Sequence, residues 1–86
     1  MNKIYLVEGS TGEYDDRCEW IVKAFISAAK AAEFVGACQK EADKLEKETP
    51  YHNYEARRNE KHSLDPYYRR DYTGVKYGFF DVELVE

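Results

Sequence analysis

Apolar and polar residues alternate near both ends of this chain and recur at three- and four-residue spacing in its middle. In Lys3–Glu8, Ile4 and Leu6 point to one side and Tyr5 and Val7 to the other, so the segment reads as a strand with two faces to cover. Gly9-Ser10-Thr11-Gly12 is a turn signal, and the polar run Glu13–Arg17 continues the loop. Cys18–Ile26 alternates again. Cys18, Trp20, Val22, Ala24 and Ile26 share one face, and Glu19, Ile21, Lys23 and Phe25 the other. Its β-branched and aromatic content favours a second strand. Two strands joined in this way predict an antiparallel hairpin with a long tip.

The period then changes. Ser27 is a good helix N-cap, because its hydroxyl can accept from an early unpaired backbone N–H. Ala28–Lys47 is rich in helix formers and free of proline. Ala31, Phe34, Val35, Cys38, Ala42 and Leu45 make one apolar stripe. Thr49-Pro50 stops the helix, since the residue before proline resists the helical region. Residues 51–74 lack a clear period. Glu55–His62 reads as a short polar helix, and Pro66 interrupts the stretch Ser63–Gly74. Val75–Val85 alternates as a last strand in two phases, Val75, Tyr77 and Phe79 against Phe80, Val82 and Leu84. That change of phase predicts a bulge or kink at Gly78.

The expected architecture is α+β, one domain over residues 1–86. A three-stranded antiparallel sheet in ββαβ order packs one face on the helix, with a long irregular excursion before the last strand. Ile4, Leu6, Trp20, Val22, Phe34, Val35, Cys38, Leu45, Phe80 and Val82 are the expected core. Eighty-six residues bury a thin core, and the 15% aromatic content lets few side chains fill it.

Charge adds a contrast within the chain. The net charge of −4 disfavours nonspecific binding to nucleic acid or anionic lipid. Residues 49–74 nevertheless carry 5 basic and 4 acidic side chains, so the excursion is the one positive stretch. The segment Met1–Glu8 lacks the pattern of a signal peptide, and no apolar run approaches the length of a membrane span. With two cysteines only, Cys18 and Cys38, the expectation is a cytoplasmic protein with reduced thiols.

Candidate chemistry is sparse. Gly9-Ser10-Thr11-Gly12 lacks the spacing and the lysine of a phosphate loop and precedes a strand, so it reads as a plain turn. Glu8, Glu13, Asp15 and Asp16 lack the alternation of a calcium loop. They read as a solvated tip or as an acidic patch for a basic protein. Cys18, Cys38, His52 and His62 lack zinc-motif spacing, and both cysteines read as small core residues. No metal, cofactor or catalytic residue is expected. The excursion mixes tyrosine with arginine, the composition of interface hot spots. One reading has the tyrosine rings covering the open sheet face while the arginines pair with Asp65, Asp71 and Glu60; read as a surface, Tyr67, Tyr68, Arg69, Arg70 and Tyr72 are the expected partner-binding residues, with Glu13, Asp15 and Asp16 as the rival. Base stacking and phosphate neutralisation by residues 51–74 is the alternative.

The string Tyr5-Leu6-Val7-Glu8-Gly9-Ser10-Thr11-Gly12-Glu13-Tyr14-Asp15-Asp16-Arg17, followed by Glu19-Trp20-Ile21-Val22, resembles a group of small phage- and prophage-encoded proteins. They share this opening, a helical middle and an Asp-Tyr-Thr-Gly box before the last strand, here Asp71-Tyr72-Thr73-Gly74. The resemblance covers about half the chain and brings no active site with it. It implies a mobile-element origin and a bacterial host cytoplasm. A chain of this kind is expected to bind a host protein stoichiometrically rather than to act as an enzyme. It would then inhibit a defence system or a host enzyme, as anti-CRISPR proteins do. The arginine-rich excursion is peculiar to this chain.

Overall fold

A computed structural model describes residues 2–85 and has the expected α+β architecture. The elements are β1 (Lys3–Thr11), a 3-10 turn (Tyr14–Asp16), β2 (Cys18–Phe25), α1 (Ala28–Glu48), α2 (Tyr54–Arg58) and β3 (Val75–Glu83). The sheet runs β2-β1-β3 with both pairings antiparallel, so β1 is the central strand. β1 and β2 form the expected hairpin, and β3 returns from the far end of the chain to β1's other edge.

The core lies on the opposite phase of β1 and β3 from the one expected. Val7, Thr11 and Val75 are buried beneath α1, whose Ala31, Cys38 and Ala42 face them. Ile4 and Leu6 point the other way, beside Val82 and Phe80. Phe80 and Val82, expected in the core, are 42% and 39% exposed. Both faces of β1 are apolar, so alternation alone could not rank them. Gly9 decides the matter. The Trp20 indole lies across it on the helix side, where an added Cβ would sit 2.6 Å from the ring. Only a residue without a side chain admits that packing.

Gly78 is not a bulge. The β1–β3 register is unbroken from Lys3 opposite Glu83 to Thr11 opposite Val75. The two apolar phases of β3 are simply its two faces, and both are apolar. The irregularity lies in β2 instead. There Val7 pairs with Lys23 and Glu8 with Ile21, leaving Val22 as the extra residue.

The helix begins as expected, with the Ser27 hydroxyl accepting from Lys30 N–H at 3.3 Å, and it closes at Thr49 before Pro50. Gln39 ties α1 to the outer edge of β3. Its Nε2 donates to the Val75 carbonyl at 2.9 Å, and its Oε1 accepts from Tyr77 N–H at 2.9 Å. An exposed strand edge would offer those groups to another chain, and here the helix occupies them. α2 is shorter than the expected 55–62 helix. Asn53 caps it through Ala56 N–H at 3.2 Å, and it ends at Asn59.

Candidate functional site

The excursion is pinned to the helix side of the sheet by two buried polar residues. Asp65 is 1% exposed. Its Oδ2 accepts from Trp20 Nε1 at 2.9 Å and from the Tyr77 hydroxyl at 2.7 Å. Its Oδ1 accepts from Tyr67 N–H at 2.9 Å, turning the chain over Pro66. One carboxylate thus joins β2, β3 and the excursion. Burial and the Asp65 bond hold the Tyr77 hydroxyl well above its ordinary pKa. His62, also buried, bridges Nε2 to the Cys38 carbonyl at 2.9 Å. Its Nδ1 accepts from Leu64 and Asp65 N–H at 3.1 Å. The proton therefore sits on Nε2. Glu41 lies 3.7 Å from Nδ1, but that nitrogen is already an acceptor, so the two form no ion pair. Glu41 instead receives the hydroxyl and backbone N–H of Ser63. Burial works against its charge, yet these bonds hold its pKa below the ordinary value. The Cys38 thiol is fully buried and pushed up to about 11 by that burial, with Asp65 and Glu41 adding to the effect.

A second clasp corrects the expected Tyr/Arg surface. Arg70 and Glu60 form an ion pair at 3.1 Å with side chains only 2% and 5% exposed. The same Nη2 donates to the carbonyl of Thr49, the residue that ends α1, at 2.6 Å. Arg70 is therefore a buried cap on the helix C-terminus, where a positive charge opposes the helix dipole. Tyr68 is half-buried beside it, its ring tilted against that of His62 with centroids 5.3 Å apart. Its hydroxyl is pushed up by burial and by the Glu60 charge. Burial also raises the Glu60 pKa, with Arg70, Tyr68 and Arg57 pulling the other way. Arg57 lies 3.8 Å over the Tyr51 ring. The adjacent arginines are thus not one patch. Arg69 is exposed with Tyr67 and Tyr72, and Arg70 is interior. The sequence offers the arginines three carboxylates, Asp65, Asp71 and Glu60; Glu60 pairs with Arg70, while Asp65 and Asp71 take other partners.

The third cluster sits at the hairpin tip. Asp71 Oδ1 accepts from Thr73 N–H at 2.8 Å and from the Thr73 hydroxyl at 2.5 Å. Asp71 N–H donates to Thr11 Oγ1 at 3.0 Å, and the Thr11 hydroxyl donates to the Gly74 carbonyl at 2.7 Å. Gly12 N–H donates to Thr73 Oγ1 at 2.9 Å. Burial opposes the Asp71 charge, but the bonds from Thr73, Thr11 and Gly12 outweigh it and lower its pKa. Gly12 has φ +91°, and a Cβ there would collide with the Asp16 carbonyl oxygen. The Ser-Thr-Gly opening and the Asp-Tyr-Thr-Gly box are two halves of one knot, which accounts for both strings without invoking catalysis.

The knot brings the two expected surfaces toward each other. Tyr72 is exposed in the box, with Tyr51 6.4 Å from its ring. Across the knot the loop exposes Glu13, Asp15 and Asp16. Between them Tyr14 is 92% exposed, with φ +51°. That left-handed conformation costs a tyrosine roughly 1–2 kcal/mol. Bonds from Asp16 N–H to the Glu13 carbonyl (3.0 Å) and from Arg17 N–H to the Tyr14 carbonyl (3.1 Å) hold it. The one mark Tyr14 carries in the sequence is that it is an aromatic residue alone among acids in a turn. A recess of about 210 Å³ lies beside it, lined by Thr11, Glu13, Arg17, Thr73 and Lys76 among others.

Cys18 lies on β2, Cys38 on the sheet-facing side of α1, and His52 is exposed, whereas His62 is buried. Among the described residues no helix is long and apolar enough to cross a membrane. Comparison with known proteins finds no matching family model, no matching curated protein and no matching solved structure.

Proposed function

We propose that this protein acts by stoichiometric protein binding, with the acidic hairpin tip as its contact and a basic surface on a host protein as its target. The observation that carries the reading is Tyr14, almost fully exposed in a left-handed backbone at the centre of a tip held by the Thr11–Asp71 knot. Strain of this kind persists where the surroundings enforce it and clusters at functional positions. Tyrosine supplies rigid apolar area with one hydroxyl at low entropic cost. Three exposed carboxylates beside it steer a basic partner and suppress an acidic one. Tyr72 extends the surface across the knot. By the resemblance of the opening segment, the target would be a component of a bacterial defence system or a host enzyme. Inhibition would follow from occupying its basic, nucleic-acid-handling face. The alternative in which residues 51–74 bind nucleic acid has less to stand on, because Arg70 is engaged by Glu60 and Arg57 by Tyr51.

The test is capture from bacterial lysate with three variants, each first shown to be folded. Tyr14→Gly relieves the strained φ, so it should melt no lower than wild type yet lose capture. Asp15→Lys with Asp16→Lys should also lose the partner. Tyr67→Ala with Arg69→Glu should keep it. Loss confined to the third variant would move the interface to the exposed part of the excursion. A specific partner retained by all three would end the proposal.

A further inference from the structure

Both ring nitrogens of the buried His62 are committed to the neutral form. Nε2 donates to the Cys38 carbonyl, and Nδ1 accepts from the N–H groups of Leu64 and Asp65. The ring thereby shapes the turn at 63–65 as an aspartate or asparagine oxygen would, by taking N–H groups two and three residues on. From α1, Glu41 holds the same turn through the hydroxyl and N–H of Ser63. Its Oε2 also stands 3.7 Å from His62 Nδ1. A second proton on the ring makes both nitrogens donors. Nδ1 then accepts nothing, and the Leu64 and Asp65 N–H groups lose their acceptor. Glu41 Oε2 is in reach of the new Nδ1–H, and taking it draws that oxygen away from Ser63 N–H.

We infer that His62 and Glu41 form an acid-operated latch on the excursion. The neutral ring holds the turn closed. The protonated ring exchanges Leu64 and Asp65 for Glu41 and lets the turn swing out. Glu41 has a partner in either arrangement, so the element is two-state and one proton selects between the states. Histidine changes charge within about pH 5–8, where carboxylates and tyrosines ordinarily do not, so the latch is closed at the alkaline end and opens as pH falls. The surroundings allow opening without unfolding. Glu41 from α1 and Asp65 from the excursion are the carboxylates beside the ring, and they attract its positive charge. Tyr77 of β3 and Tyr68 of the excursion pack against it. Burial holds both hydroxyls and the Cys38 thiol of α1 above their ordinary pKa values, so all three stay neutral. Lys23 on β2 and Lys44 on α1 are the cations nearby, acting on Cys38 and on Glu41. Ser63 and Leu64 are exposed, and an open groove of about 650 Å³ beside Leu64 runs along Ala37 and Leu45 of α1. The turn therefore moves without displacing the residues between α1 and the sheet. Asp65 belongs to the turn and bonds Trp20, so opening is felt at the indole.

Titration of the full chain from about pH 8 to 5 tests this. Nitrogen NMR should show His62 Nδ1 gaining a proton. The Leu64 and Asp65 amide signals and the Trp20 emission should change along the same curve, while far-ultraviolet circular dichroism stays constant. His62→Asn keeps an oxygen acceptor for both N–H groups and has no proton to gain, so the amide and Trp20 changes should be lost. His52→Gln, at the exposed histidine, should keep them. Glu41→Gln denies the charged ring its counter-charge and should displace the curve to lower pH. If His62→Asn does not fold, the wild-type nitrogen signals and Glu41→Gln decide. The inference is overturned by a wild-type Nδ1 that stays unprotonated until the chain unfolds. It is equally overturned if the changes survive in a folded His62→Asn, disappear in His52→Gln, or follow the wild-type curve in Glu41→Gln.

Discussion

Replacing Asp65 with alanine removes one carboxylate and strands donors on three segments. Trp20 Nε1 and the Tyr77 hydroxyl lose a buried charged acceptor, and Tyr67 N–H loses its turn partner. A hydrogen bond to a charged group contributes about 1.5–3 kcal/mol, and an orphaned buried donor costs about as much. Water entering from the excursion side recovers part of this, leaving an expected loss of about 3–5 kcal/mol. A chain of this length has a total stability of about 4–13 kcal/mol, so the variant sits near its unfolding threshold. Trp20 is the only tryptophan and belongs to the clasp, so urea unfolding followed by its fluorescence reads the site directly. For a slope of about 1–1.5 kcal/mol/M, the midpoint should fall by about 2–5 M. Asp65→Asn should cost roughly half as much. Its single amide oxygen can serve Trp20 and Tyr77, but its NH₂ then meets the Tyr67 donor. Tyr77→Phe and Asp65→Ala should be non-additive by about 1 kcal/mol, because they delete the same bond. A midpoint for Asp65→Ala within about 0.5 M of wild type would falsify the idea that this carboxylate holds the excursion on the sheet.

Two further outcomes concern the other clasps. Arg70→Met leaves Glu60 buried without its partner and should cost about 3–5 kcal/mol, whereas adding Glu60→Leu should restore most of that, as thermal melts will read. Asp71 is more acidic in the folded chain than its ordinary 3.8, so its charge contributes stability that is full above 3.8 and is lost as pH falls through the lower folded value. Asp71→Asn should therefore melt below wild type at neutral pH, and the gap should close on acidification below 3.8; a gap independent of pH contradicts the assignment.

The order of elements was legible because its signals are local. Ser27 caps the helix, the stripe through Ala31, Cys38 and Ala42 has helical period, and the strands alternate. The phase of the sheet was not legible, because Ile4 and Leu6 are as apolar as Tyr5 and Val7. The deciding contact, Trp20 across Gly9, joins two strands. The same limit hid the clasps. Pairing of the arginines with Asp65, Asp71 or Glu60 is readable from the sequence, but not which pair forms: Arg70 takes Glu60 and Thr49, and Asp65 takes Trp20 and Tyr77 instead of an arginine. Phe34 is half-buried, its ring tilted against Phe25 with centroids 5.3 Å apart, so it carries less of the core than its place in the stripe suggests. At the tip Glu13, Asp15 and Asp16 are exposed as expected, whereas Glu8, grouped with them by sequence, lies within β1 and is half-buried. The knot behind them was invisible, since Thr11 and Asp71 are sixty residues apart.

The central position of β1 also governs when the chain can fold. Lys3 pairs with Glu83, so the first strand made is completed by the last. During synthesis the β1–β2 hairpin and α1 emerge early, but β1 keeps one edge open until Val75–Glu83 has left the ribosome. Contacts of such long sequence separation slow folding and leave an unpaired edge in the interim. A stop or a protease cut anywhere in the excursion would thus yield a fragment with a bare strand edge and an uncovered Trp20. That open edge of β1 would offer its unpaired N–H and C=O groups to any other extended chain.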